Sequence, residues 1–217
     1  MENLFDTYTE FERHWNELSK YNIQQSKREA FFVWSLIKKL QPKNMIEIGL
    51  AQGGSAALWE SAAPDSRHFL IDIDFHNVQK PIREGKDILF KDSTDSDTFY
   101  TIKTMLKGEN VDFLFIDGDH SEPTVRWDYN IYGSLVRQGV IALHNINSGT
   151  GVRSIWNEIC YENNINDFKD VCKMSVLFPR EEKLKDTPQF LGIGIILRGV
   201  ALSPSPQYRP TIAKRTQ

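Results

Sequence analysis

Cysteine is scarce in this 217-residue chain: Cys160 and Cys172 are the only two, too few for a disulfide framework and without metal-type spacing. They read as reduced thiols, and a cytoplasmic protein is expected. No apolar run reaches the ~18 residues that a membrane span requires. The opening MENLFDTYTEFERHW is acidic and lacks the basic-then-apolar layout of a signal peptide. A basic surplus is also missing. The 26 Lys and Arg face 29 Asp and Glu, leaving a net charge of −3 and a pI near 6.0. That balance argues against nucleic acid or an anionic membrane as the partner and favours a small molecule.

What is present is an alternation. Ala30, Phe31, Trp34, Ile37 and Leu40 fall at helical spacings between Gln25 and Leu40, and Pro42 stops the pattern. Short apolar runs follow at Asn44–Gly49, His68–Ile73, Asp87–Phe90, Val111–Ile116 and Val140–His144. Helical stretches separate them at Ser55–Ala63, about Asn77–Glu84, Asp95–Lys107 and Glu122–Arg137. Strands joined by helices must pair in parallel, with right-handed crossovers placing helices on both faces. After a helix near Gly151–Glu162 the rhythm breaks. The runs Val171–Phe178 and Phe190–Leu197 are separated only by PREEKLKDTPQ, too short and Pro-bounded for a crossover helix, so they should pair antiparallel. The expectation is a doubly wound, Rossmann-like α/β domain over residues 1–198. It has a mostly parallel seven-stranded sheet, a C-terminal antiparallel hairpin and an N-terminal helical cap over residues 1–40. Residues 199–217 hold three prolines and no acid and read as a loose tail.

Ligands of such sheets bind at the carboxyl ends of the strands, beside the point where strand order reverses. The first run ends in EIGLAQGGSA, where Gly49 turns the chain and Gly53 and Gly54 keep Cβ atoms away from a ligand. Ser55 then opens a helix whose N-terminal amides favour an anionic group. The second run ends in IDID, and Asp72, rather than Asp74, is placed to accept ribose hydroxyls. The third leads to KDST, where Asp92 and Ser93 can read an adenine edge. Taken singly, a bare turn or a surface acid explains each feature. Together they occur in the chain order of an adenosine-containing cofactor. No GKS or GKT follows the glycines, their spacing is G-x-x-x-G-G rather than GxGxxG, and no Tyr-x-x-x-Lys is present. Glu47 before the loop suits the ammonium and sulfonium of S-adenosylmethionine better than a pyrophosphate.

EIGLAQGGSA, IDID, KDS, IDGDHSEPTVRWDYNIYGSLVRQGVIALHNI, GVRSIWNEI and FLGIGIIL together resemble a class I S-adenosylmethionine-dependent methyltransferase. The similar branch contains small-molecule O-methyltransferases, both catechol-type enzymes and relatives acting on sugars and antibiotics. The resemblance covers about residues 25–198 and is strongest over Asp112–Ile146. It implies that Glu47, Gly49, Gly53 and Ser55 hold the methionine part of the cofactor, Asp72 the ribose, and Asp92 and Ser93 the adenine. It implies O-methylation of a small hydroxylated molecule, and family members commonly dimerise.

The remaining chemistry lies in IDGDH and HNI. By resemblance, an acid after the fourth strand and a pair after the fifth hold a divalent metal, here Asp117, His144 and Asn145. Such an ion lowers the pKa of a substrate hydroxyl. Magnesium would find His144 a poor ligand, and manganese, iron or zinc a better one. The family pattern has a second aspartate where this chain has Asn145. Two readings therefore stand for His144 and Asn145: metal ligands, or hydrogen-bonding partners of the loops around Asp117. His120 has two readings as well. It is a general base beside the transferred methyl, or a group that caps the next helix or bonds Asp119. Two other functions stand as alternatives: a non-catalytic S-adenosylmethionine-binding subunit, and a nicotinamide-dependent oxidoreductase on the same sheet.

Overall fold

The computed structural model describes residues 4–84, 86–147, 151–162, 171–176 and 192–199. Helices α1 (Leu4–Leu18) and α2 (Lys27–Leu40) lead into β1 (Asn44–Ile48). There follow α3 (Gly54–Ala62), β2 (Arg67–Asp72), the single turn α4 (Lys80–Arg83), β3 (Asp87–Phe90) and α5 (Ser96–Leu106). Then come β4 (Phe113–Ile116), α6 (Glu122–Ile131), β5 (Gly139–His144), α7 (Gly151–Glu162), β6 (Val171–Val176) and β7 (Ile193–Arg198). The sheet order is β3-β2-β1-β4-β5-β7-β6. Pairing is parallel from β3 to β5, and β7 runs antiparallel to both β5 and β6.

Period-two alternation explains the layering. Ile46, Ile48, Phe69, Ile71, Leu114, Ile116, Ile141 and Leu143 point to one face, where Ile102 and Leu106 of α5, Val125 of α6 and Ile155 of α7 cover them. Met45, Phe113, Phe115, Val140 and Ala142 point to the other, against Phe11 of α1, Trp34 of α2 and Trp59 of α3. Trp156 is buried in the first layer and Trp127 packs partly buried against it, so both serve the core. Among the described residues no helix is long and apolar enough to cross a membrane.

Local sequence sets the ends of α2. Ser26 caps it by accepting the Glu29 amide, and the Glu29 carboxylate accepts the Ser26 N–H at 2.9 Å. This reciprocal box contributes about 1 kcal/mol and fixes where Glu29 points. The helix expected over Asn77–Glu84 shrinks to α4. Asp74 accepts the His76 N–H at 2.8 Å and the Asn77 side chain at 2.7 Å, holding that stretch as a turn, and Pro81 lies in the first turn of α4. The charged loop Pro179–Gln189 and the tail beyond Gly199 lie outside the described residues.

Candidate active site

Strand order reverses between β1 and β4, so their carboxyl ends lie side by side. The chain leaves β1 through Gly49 at φ +86°, and a Cβ there would run into the Asp117 carbonyl and Gly118. Gly49 is thus required both by its left-handed backbone and by the close approach of the β4 loop. Gly53 is also left-handed, and a Cβ on it would meet Ile82; one on Gly54 would lie 2.8 Å from Tyr21 O and Ile23 N. Asp72 ties this loop down from β2. Its Oδ2 accepts the Leu50 and Ala51 amides at 2.6 and 3.2 Å, and its Oδ1 accepts the Asp74 amide at 2.7 Å. Beside it Ile73 is 74% exposed, an apolar surface that the IDID reading passed over.

Glu47 lies beneath the loop rather than on it. It is wholly buried on the α3 side of β1, and its Oε1 accepts the Ser55 hydroxyl at 2.5 Å. Burial pushes its carboxyl well above the usual range, against the pull of Ser55. Past β3, Asp92 is exposed and accepts both the amide and hydroxyl of Thr94 at 2.8 Å. Ser93 is buried, its carbonyl held by the Tyr132 hydroxyl at 3.0 Å. Asp128 of α6 stands nearby with no exposure. Burial drives its carboxyl up to about 7, Asp92 and Asp119 add to the rise, and Ser93 opposes it.

At the ends of β4 and β5 the structure joins Asp117, His120, His144 and Asn145 in one cluster. His144 continues the α2-facing row of Val140 and Ala142. Its Nδ1 lies 2.9 Å from Asp117 Oδ1, and its Nε2 lies 3.9 Å from Glu29 Oε2. Burial alone would depress this imidazole, but Asp117 and Glu29 lift it to about 9. The group is therefore an imidazolium at neutral pH. The Gln25 amide donates to Asp117 Oδ2 at 2.9 Å. Gln25 and Glu29 come from the entry to α2 and were missed in the sequence, although the S-x-x-E of the capping box marks Glu29 as fixed in place.

His120 is the more open member of the cluster. Its side chain is 37% exposed, with Nε2 2.9 Å from the Asn145 amide and 3.6 Å from Asp117 Oδ1. Asp119 instead holds the turn leading into α6, accepting the Ser121 amide, the Ser121 hydroxyl and the Thr124 hydroxyl. Asn145 holds a left-handed backbone at φ 62°, a conformation asparagine tolerates better than most residues.

The donor set does not fit a metal in this arrangement. Asp117 has one oxygen on His144 and the other on Gln25, and His144 turns its Nδ1 to Asp117 and its Nε2 toward Glu29. Among the described residues no group of three or more His, Cys, Asp or Glu is arranged to hold an ion.

A family profile described as rhamnosyl O-methyltransferase/CmcI matches residues 12–149, more than half of the chain. No curated protein sequence matches it. Among solved structures, the O-methyltransferase from Bacillus cereus in complex with SAH aligns with a TM-score of 0.56 at 16% identity. The alignment covers 88% of this chain and 91% of that one. Cofactor-bound Rv0187 from MTB gives 0.54 at 18% identity over 90% and 89% of the two chains. The MycE methyltransferase of the mycinamycin biosynthetic pathway, in complex with Mg, SAH and mycinamycin VI, gives 0.57 at 15% identity. That match covers 84% of this chain and 53% of MycE, so the chain spans about half of MycE's length. These structures speak for the fold, and the profile for the lineage: the chain belongs to the rhamnosyl O-methyltransferase/CmcI family.

Proposed function

We propose that the protein uses S-adenosylmethionine to methylate a hydroxyl of a small molecule, of sugar or natural-product type, with His120 as general base. The observation that carries this reading is the juxtaposition at the β1–β4 switch point. The glycine loop pinned by Asp72 abuts the Asp117–His120 turn through Gly49 and the Asp117 carbonyl. S-adenosylmethionine, when bound, supplies an electrophilic methyl on a sulfonium. Asp72 would orient the ribose, Ile73 would offer an apolar contact to the base, and Asp92 and Ser93 would read the adenine edge. His120 takes the proton of the acceptor hydroxyl as its oxygen attacks, an assistance worth about 10²–10⁴-fold. The Asn145 amide reaches both ring nitrogens, at 2.9 Å to Nε2 and 3.4 Å to Nδ1, with Asp117 3.6 Å from Nε2, so the imidazole is held at the mouth of the site with its side chain 37% exposed.

No step is assigned to a divalent cation, because Asp117 and His144 are engaged with each other. Of the two readings of Asp117, His144 and Asn145, the metal-binding one is put to titration with magnesium and manganese. Calorimetry with S-adenosylmethionine and with NADH, each with and without magnesium or manganese, tests the reading. Binding of S-adenosylmethionine alone supports it. Binding of NADH in its place overturns it in favour of an oxidoreductase.

A further inference from the structure

A second row of ionisable groups leads from the glycine loop to the surface through the α3 side of the sheet. Glu47 Oε2 lies 3.5 Å from His68 Nε2, and His68 Nδ1 lies 3.6 Å from Glu60 Oε1. Lys86 pairs with the other oxygen of Glu60. The side chains of Glu47 and His68 are 0% and 3% exposed, and those of Glu60 and Lys86 are 28% and 18% exposed. Beyond these contacts, Glu47 Oε2 and both His68 nitrogens make no hydrogen bond among the described residues.

Orientation follows from the charges. Glu60, paired with Lys86, is the ionised end and draws the Nδ1–H of a neutral His68 toward it. The lone pair of Nε2 then faces Glu47, where a protonated carboxyl is its natural complement. Burial favours that neutral pairing, raising Glu47 and lowering His68. Ser55 and Lys86 pull Glu47 down, while Asp117 and Glu60 push it up; His68 is raised by Glu60 and lowered by Lys86.

We propose that His68 is a positioning residue for the cofactor, taking the carboxyl proton of Glu47 when a cationic ligand settles on the glycine loop. The Glu47 Oε2–H bond breaks and a His68 Nε2–H bond forms. Glu47 becomes a carboxylate beneath the ligand's positive charge, and the imidazolium is held between Glu47 and Glu60. No proton leaves the protein. The inference rests on the S-adenosylmethionine reading, and Glu47 acts through Ser55 and the loop, since it has no exposed surface of its own.

The test is calorimetric titration with S-adenosylmethionine at pH 7.5 in phosphate and in Tris, whose ionisation enthalpies differ widely. The native chain should give the same binding enthalpy in both. In His68→Gln the proton has no acceptor, so about one proton should pass to the buffer and affinity should rise about tenfold per pH unit. Glu60→Gln, at a more exposed position, removes the carboxylate that stabilises the imidazolium and should introduce buffer dependence without touching the buried pair. Release of a proton by the native chain, or buffer-independent binding by both variants, overturns the inference while leaving the cofactor reading intact. Absence of binding by the native chain overturns both.

Discussion

His144 Nδ1 donates to Asp117 Oδ1 across 2.9 Å, tying the end of β5 to the end of β4 inside a site closed by Glu29. The contact is a buried ion pair, so removing one partner strands the other charges. His144→Gln should cost about 3–5 kcal/mol of unfolding free energy in a denaturant titration. The pH dependence has a definite sign. The imidazolium contribution is complete below the ordinary histidine value of ~6.5. It is lost as pH rises through about 9. Stability should therefore fall over that interval in the native chain, and the slope there should flatten in His144→Gln.

His120 touches the same carboxylate but stands partly in solvent. His120→Ala should lower kcat by about 10²–10⁴-fold. Its Tm should stay close to the native value, since a partly exposed side chain supports little packing. A fall in Tm with kcat preserved would reassign His120 to a structural role.

Asp72 accepts three amides around the glycine loop. Asp72→Asn keeps the shape but loses the charge, and charge-assisted bonds of this kind are worth about 1.5–3 kcal/mol. Affinity for S-adenosylmethionine should drop about 10–100-fold by calorimetry, with little change in the acceptor KM.

Asp128 is buried and its carboxyl sits up at about 7. Its neutral form is the one the fold prefers, so ionisation erodes stability as pH climbs from ~4. The loss should level off above about 7. Asp128→Asn should remove this dependence and exceed the native chain in stability at pH 8, by about 1–3 kcal/mol in denaturant melts. A less stable variant at pH 8 would mean that the carboxylate itself is needed.

Much of the fold was legible because its signals are local. The alternating runs, the Pro42 stop and the loop too short for a crossover helix led to the mostly parallel sheet with its antiparallel C-terminal pair. The positions of the loop and the strand-end acids were legible for the same reason: Asp72 ends β2, and Gly49 and Asp117 directly follow β1 and β4. Gln25 and Glu29 were not, because they reach the site only when the start of α2 lies against the ends of β4 and β5, where Gln25 meets Asp117, 92 residues on, and Glu29 meets His144. For His144 two readings stood side by side in the sequence, a metal ligand or a hydrogen-bonding partner around Asp117, since a row of potential metal ligands reads alike whether its members face an ion or one another. The stretch about Asn77–Glu84 is helical only over Lys80–Arg83, because the side-chain bonds of Asp74 to His76 and Asn77 hold its start as a turn.

The most direct test of the account is methyl transfer itself. Purified protein is incubated with methyl-labelled S-adenosylmethionine and a panel of rhamnosides, other glycosides and phenols, with and without a chelator. The account predicts label on an acceptor oxygen, formation of S-adenosylhomocysteine in equal amount, and strong loss of both in His120→Ala. Tight binding of S-adenosylmethionine with no transfer to any acceptor, with or without added magnesium or manganese, would contradict it and leave a cofactor-binding subunit.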